Sequence, residues 1–363
     1  PEFGVYITND FDGARLNDVE KINDSTVNAV IRPENTPINN SAYYAFKIWA
    51  ETPRTLYVQF DYPSGYTHRY WPKLSTSGKH WIAADTTDVF LKDTMVTLKM
   101  KLSKDTIWVA AQELLTSTDV KTWYSGLEKK YGTVLHTTTV GRSKLGKDIP
   151  LLDLYSGSPK GKAIVVLLTR QHPPEVTGHI AFLHFLETIL GSTSLSDTFF
   201  EKFRILAFPI MNPDGVDMGH WRHNAGGVDL NRDWSYYRQP EVRQVAKAIE
   251  SIVKKDKGTL LLGIDFHSTR YDVFYTSTQR QGTTLPDFIP QWFAGLEANI
   301  PDYEVNEDSS SSNRPVSMGW FLKRFNAVGI TYEVGDATPR DFIALKAKVA
   351  ATEMMKLLLT MYN

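Results

Sequence analysis

Four runs of nearly unbroken apolar residues punctuate the carboxy-terminal two thirds of the chain: "KAIVVLL", "RILAFPIM", "TLLLGIDF" and "GITYEV". Short runs of this kind suit strands buried on both faces. Helical spacing fills the intervals. Val176, Ile180, Leu183 and Leu190 share a face after the first run, and residues 240–255, opening with Pro240, turn Val242, Val245, Ile249 and Ile252 inward. A last helix repeats Ile343, Ala347, Ala350, Met354, Leu357 and Met361 behind Thr338 and Pro339. Another is expected from near Thr118, with Val120, Tyr124, Leu127 and Tyr131. Strand–helix alternation over about 250 residues predicts an α/β domain, its mixed, mainly parallel sheet flanked by helices. Sites in such sheets gather at the carboxyl ends of the strands.

The first 114 residues have a different period. "TLYVQFDY" sets Leu56, Val58 and Phe60 against polar neighbours, and "TMVTLKMKL" does the same with Val96, Leu98, Met100 and Leu102. Period-two alternation, turn-rich separators such as "RPENTPINNS" and the lack of an amphipathic helix predict a small antiparallel β-sandwich. The expected division is therefore an accessory sandwich at 1–114 and a catalytic α/β domain at 115–363. "EDSSSSN", 307–313, reads as a mobile surface loop.

Forty basic residues nearly cancel forty-one acidic ones, so no long-range field would gather nucleic acid. The absence of cysteine removes disulfides, thiolate metal sites and a thiol nucleophile. No apolar run approaches the ~20 residues that cross a bilayer, so membrane insertion is not expected. The chain starts at Pro1, consistent with a removed leader, and a periplasmic or secreted setting is favoured over a cytoplasmic one. No feature encodes an oligomeric state.

Polar residues with metal-binding chemistry follow the buried runs. His172 and Glu175, with two prolines between them, come after "KAIVVLL"; His267 follows "LLLGIDF"; Glu333 ends "GITYEV". Two imidazoles and one carboxylate make the three-ligand set of a hydrolytic zinc site and leave one position for water, whose pKa zinc lowers to about 7. Glu333 is the candidate for the base that is not a ligand. Pro173 and Pro174 fix φ, which presets the loop for one ion.

The ordered motifs "HPPE", "NPDG", "WRHN", "GVDLNRDW", "DFHS" and "TYEVG" make the chain from about 115 to 363 resemble the zinc metallocarboxypeptidases of the carboxypeptidase A type, the M14 family. The stretch before it, with "SAYYAFKIWA" and "HRYWPKLS", is similar to the amino-terminal domain of the cytosolic carboxypeptidase branch. The resemblance implies a carboxypeptidase-like fold and one Zn2+ held by His172, Glu175 and His267. It implies Glu333 as general base and Arg222 as the group that polarises the scissile carbonyl. Asn231 and Arg232 would grip the terminal carboxylate of a peptide or protein substrate, and Asp229 would orient the imidazole of His172.

Two parts depart from that pattern or are left open. No tyrosine occurs from Glu304 to Thr331, where the family carries its lid tyrosine, so either Tyr303 swings in or the lid works through serines and backbone. Met318 falls at the specificity-pocket floor and suggests a neutral one; Arg314 is the alternative contact, for an acidic side chain. His179 and His184 read as packing or surface residues. The same chemistry could trim cell-wall peptides or acidic protein tails, and a non-catalytic carboxylate-binding module is the reading from another class.

Overall fold

The computed structural model describes residues 3–310 and 314–362. Its backbone packs as two compact units. One comprises Pro1–Ser117, His172–Pro174 and Asp214–Gly227; the other comprises Thr118–Gln171, Glu175–Pro213 and Val228–Asn363.

The first unit is built of strands β1 (Val5–Thr8), β2 (Asp18–Asn23), β3 (Thr26–Val30), β4 (Ala45–Ala50) and β5 (Arg54–Asp61). They are followed by β6 (Lys73–Ser75), β7 (Ile82–Ala83), β8 (Val89–Lys92), β9 (Met95–Leu102) and β10 (Ile107–Ala110). Two five-stranded sheets result, ordered β1-β4-β10-β6-β7 and β2-β3-β5-β9-β8. Leu56, Val58 and Phe60 on β5, and Val96, Leu98, Met100 and Leu102 on β9, are buried, as their alternation requires. The expectation of a wholly antiparallel sandwich needs correction, because β3 and β5 pair in parallel. Between them the chain crosses to the other sheet as β4, so β5 re-enters in the same direction. Segment 214–227 shares this unit's core: Trp221 is fully buried in it and donates its indole N–H to the carbonyl of Tyr43 at 3.0 Å.

In the second unit the order is α1 (Ser117–Tyr131), β11 (Leu135–Arg142), β12 (Asp148–Leu154), β13 (Ala163–Thr169), α2 (Val176–Ile189), α3 (Ser194–Lys202) and β14 (Phe203–Phe208). After α4 (Pro213–Asp217), which from Asp214 on belongs to the first unit, come α5 (Pro240–Asp256), β15 (Thr259–Thr269), β16 (Val273–Ser277), α6 (Phe288–Asn299), β17 (Glu307–Ser310), α7 (Ser317–Phe325), β18 (Val328–Gly335) and α8 (Arg340–Met361). The eight-stranded sheet is ordered β11-β12-β14-β13-β15-β18-β16-β17. Its centre, β14-β13-β15-β18, is parallel throughout, with antiparallel strands added on both sides. This is the mixed, mainly parallel α/β sheet that the sequence pattern predicts.

Side chains alternate between two apolar layers. Val165 and Leu167 of β13 join the core under α2, α3, α6 and α8, whereas Ile164, Val166 and Leu168 join the core under α5 and α7. Two local expectations change. In α2 the buried side runs through Phe182, Phe185, Leu186 and Ile189, while Ile180 and Leu183 are only half-buried. This helix is apolar nearly all round, so its spacing does not single out a face. Residues 307–310 of the serine-rich stretch form the edge strand β17, paired in parallel with β16, rather than a loop; Ser311, Ser312 and Asn313 lie outside the described residues.

At Gly178, α2 lies against the backbone of β15. A Cβ there would sit 2.1 Å from the carbonyl oxygen of His267. Backbone cannot rotate away as a side chain can, so Gly178→Ala should destabilise the protein by about 1–3 kcal/mol. Urea unfolding measures this; an unchanged midpoint would mean that α2 can slide on the sheet.

Candidate metal centre

The parallel centre of the sheet brings several carboxyl strand ends to one edge. β13 stops at Thr169, and the chain turns through Arg170, whose φ of 57° lies in the left-handed region. Backbone amides of Met211 and Asn212 bond to the carbonyls of Thr169 and Arg170, both at 3.1 Å, and the Asn212 side chain donates to the carbonyl of Gln171. The residues after the two prolines are therefore delivered by a braced turn. Glu175 is the residue before the first turn of α2. That turn is tied to β15: the Thr177 hydroxyl and the Gly178 amide both donate to Ser268 Oγ at 2.8 Å.

Register supplies the rest. His267 on β15 stands opposite Glu333 on β18, and Asp265 opposite Thr331. In adjacent parallel strands, opposed residues point to the same face. One face of this pair is thus Asp265, His267, Thr331 and Glu333. The other is Ile264, Phe266, Ile330, Tyr332 and Val334, all in the apolar core.

His172, Glu175 and His267 are buried, and one ligand atom from each lies within 4.8 Å of the others. A tetrahedral zinc ion with bonds of about 2.0–2.1 Å holds its ligand atoms ~3.4 Å apart, so only a small contraction is required. His267 Nδ1 faces Glu175 Oε2 at 2.6 Å, and its Nε2 lies 2.9 Å from Asp265 Oδ2. Burial pushes the imidazolium of His267 down, but Asp265 and Glu175 outweigh burial and hold it well above the usual histidine value. Such an acidic environment also suits a divalent cation. A carboxylate can only accept, so Asp265 fixes the proton on Nε2 and leaves the Nδ1 lone pair for a metal. The Asn231 amide nitrogen, 3.2 Å from the same Nε2, is then a close neighbour rather than a donor to it. The residues fit zinc.

Asp265 is fully buried and was not singled out by the sequence reading. Gln171 Nε2 donates to its Oδ2 at 2.5 Å and the Ser317 hydroxyl donates to the same oxygen. Trp234 in turn donates to Gln171 Oε1 at 3.0 Å. The signal was the alternation inside "GIDFHS", which puts Asp265 and His267 on one face.

The remaining candidates are placed as follows. Glu333 is half-buried on β18 beside His267. Asp229 caps the short 3-10 turn Leu230–Arg232 through the amide of Asn231 at 2.9 Å. Asn231 Oδ1 accepts the backbone N–H of Ser317 at 2.9 Å, and Arg232 Nη1 donates to the Asn231 carbonyl at 2.8 Å. Arg222 is half-buried in the 214–227 segment. Met318 is buried in the first turn of α7, its carbonyl against Gly329, four residues before Glu333 on β18; Arg314 is exposed. Tyr303 is packed 5.9 Å from the Phe342 ring and 5.3 Å from Lys346 Nζ, so its ring is already engaged with α8. Tyr275 on β16 stands opposite Thr331, and its pKa is raised by burial and by the charge of Glu333. His179 is fully buried and stacked on Phe182, a packing residue as expected.

The sequence pattern of the zinc carboxypeptidases, peptidase M14, matches residues 120–348. Among curated relatives, a cytosolic carboxypeptidase 3 from Bos taurus is 26% identical over 189 residues, 49% of this chain and 19% of its own. The Mus musculus protein of the same name is 23% identical over 297 residues, 73% of this chain and 29% of its own. The chain thus spans less than a third of either relative. Two solved structures align with nearly the whole chain at 18% identity, and they show the likeness of fold. A metallo-carboxypeptidase from Burkholderia cenocepacia gives a TM-score of 0.81, with 98% of this chain and 99% of that one covered. One from Pseudomonas aeruginosa, in complex with (2-guanidinoethylmercapto)succinic acid, gives 0.76, with 99% and 100% covered. Among the described residues, no helix is long and apolar enough to cross a membrane.

Asp265→Asn removes the charge behind His267 while keeping the side chain's size. Zinc affinity, measured by competition with a chelator, should fall about 10- to 100-fold. Wild-type affinity in this variant would show that the carboxylate does not govern the ligand.

Proposed function

The chain belongs to the zinc carboxypeptidase family of metallopeptidase hydrolases, and from that premise we propose that it removes residues from the carboxy-terminus of peptides with Glu333 as general base. One observation carries this reading: His172, Glu175 and His267 converge, and Glu333 stands in register with His267.

His172, Glu175 and His267 would hold a single zinc ion, which when bound supplies Lewis acidity and lowers the pKa of water to about 7. Glu333 takes the proton of the attacking water and passes it to the departing amine. Arg222 donates to the carbonyl oxygen as negative charge develops there. Asn231 and Arg232 bind the free terminal carboxylate, Arg232 through the fork of its guanidinium. The Asn231 oxygen is already committed to Ser317, so its amide nitrogen is the group available to donate. Asp229 orients the imidazole of His172. Contacts with the departing side chain we assign to Met318 and Arg314.

We place the catalytic domain at 115–363 and an accessory sandwich at 1–114. A non-catalytic carboxylate-binding role is the weaker reading, because recognition alone needs neither a buried ligand set nor a further carboxylate beside it.

Glu333→Gln separates these roles. The variant should bind zinc as the wild type does and lose peptide hydrolysis about 100- to 10,000-fold. Peptides with an amidated carboxy-terminus should be poor substrates for the wild type. Undiminished hydrolysis by Glu333→Gln would remove Glu333 from the mechanism, and equal cleavage of amidated peptides would remove the carboxylate anchor.

A further inference from the structure

We infer that Glu34, from the turn-rich stretch between β3 and β4, is a positioning residue for Arg222, holding the backbone on both sides of that arginine. The inference rests on the role proposed above for Arg222. Three consecutive amides converge on the Glu34 carboxylate. Trp221 donates to Oε2 at 2.7 Å; Arg222 and His223 donate to Oε1 at 2.9 and 2.6 Å. A run of backbone N–H groups wrapped on one anion fixes the torsions of the residues that supply it. The middle residue of this run is Arg222.

The surroundings belong to the same device. The Glu34 side chain is 5% exposed, with Arg15 Nη2 at 3.6 Å from Oε2. Burial pushes its carboxyl up, but His220 and the amides of His223 and Trp221 outweigh that and keep it below the usual range, so it is ionised. Neighbouring Asn35 brackets the segment further on: its Oδ1 lies 2.8 Å from His223 Nδ1 and its Nδ2 donates to the carbonyl of Gly227 at 3.2 Å.

A merely structural role is the competing account, and Trp221 argues against it. Its buried indole, edge-on to Tyr66 and Tyr62 at 5.4 and 6.3 Å, already anchors the segment in the sandwich core. An apolar anchor at 221 leaves the torsions at 222 free. Three charge-assisted bonds spanning 221 to 223 do not. A guanidinium must meet a transition-state oxygen within a few tenths of an ångström, and misplacement by about 1 Å can cost 100-fold in rate. On this account the sandwich takes part in catalysis through one carboxylate.

The test compares Glu34→Gln, Glu34→Ala, Arg222→Ala and the double variant Glu34→Ala/Arg222→Ala as zinc-loaded full chains, on a peptide that the wild type hydrolyses. Glu34→Ala should lower kcat about 30- to 100-fold with KM and zinc content within about 2-fold of wild type. Glu34→Gln keeps acceptor capacity and should lose less. In the double variant the second substitution should cost under about 3-fold, because its target is gone. Hydrogen exchange, which needs no activity, should show amides 221–223 protected in wild type and exchanging at least 10-fold faster in Glu34→Ala, with other regions unchanged.

Full kcat in Glu34→Ala beside a crippled Arg222→Ala would overturn the inference and leave the proposed function standing. So would losses that simply multiply in the double variant, or unchanged exchange at 221–223. If Glu34→Ala does not fold, Glu34→Gln decides by the same criteria. Full activity in Arg222→Ala, or no peptide hydrolysis by the wild type, would instead remove the role on which the inference rests.

Discussion

Parallel pairing of β15 with β18, in the register that sets His267 against Glu333, is the constraint on which the site depends. From Gly263 on β15 and Gly329 on β18, side chains alternate between an apolar face and a polar one. A slip of one residue would turn either Asp265 and His267 on β15 or Glu333 on β18 into the core occupied by Phe266, Tyr332 and Val334. Burying ionised groups there without partners costs far more than a single core defect. Packing and chemistry therefore demand the same register, and neither can be altered alone.

Around that register the chain places the three residues that could hold a metal with short, stiff connections. The braced turn after β13, two prolines and the bonds from Thr177 and Gly178 to Ser268 bring Glu175 to His267. Gly178 is the point of closest approach, where α2 has no room for a Cβ. Behind His267 the polar chain Trp234–Gln171–Asp265–Ser317 is buried and carries the charge that fixes the imidazole's proton. Buried polar networks of this sort are costly unless well satisfied. The network ends on His267, whose other nitrogen lies 2.6 Å from Glu175 Oε2 within the cluster that could hold a metal.

Much of this was legible in the sequence because strand burial and ligand chemistry leave local traces. "KAIVVLL" and "TLLLGIDF" could only be core strands, and His172, Glu175 and His267 follow or end them. Asp265 was readable too, from alternation within "GIDFHS", but an acid inside an apolar run is easily absorbed into the strand. What the sequence did not disclose has a common cause. Glu34 meets the 221–223 amides across almost 190 residues, and nothing in "RPENTPINNS" marks one carboxylate among turn residues as a ligand for distant backbone. The parallel pairing of β3 with β5 depends on where β4 goes, which no local period records. The edge strand at 307–310 is polar along its length, so it had no apolar signature.

The central claim is that His172, Glu175 and His267 share one ion. Zinc K-edge X-ray absorption on the zinc-loaded chain, with His267→Ala alongside, tests it most directly. The account predicts one zinc per chain with nitrogen and oxygen neighbours at about 2.0–2.2 Å, and a coordination shell that loses a nitrogen or the ion itself in the variant. Zinc bound with the same shell in both proteins, or no stoichiometric zinc in either, would contradict it.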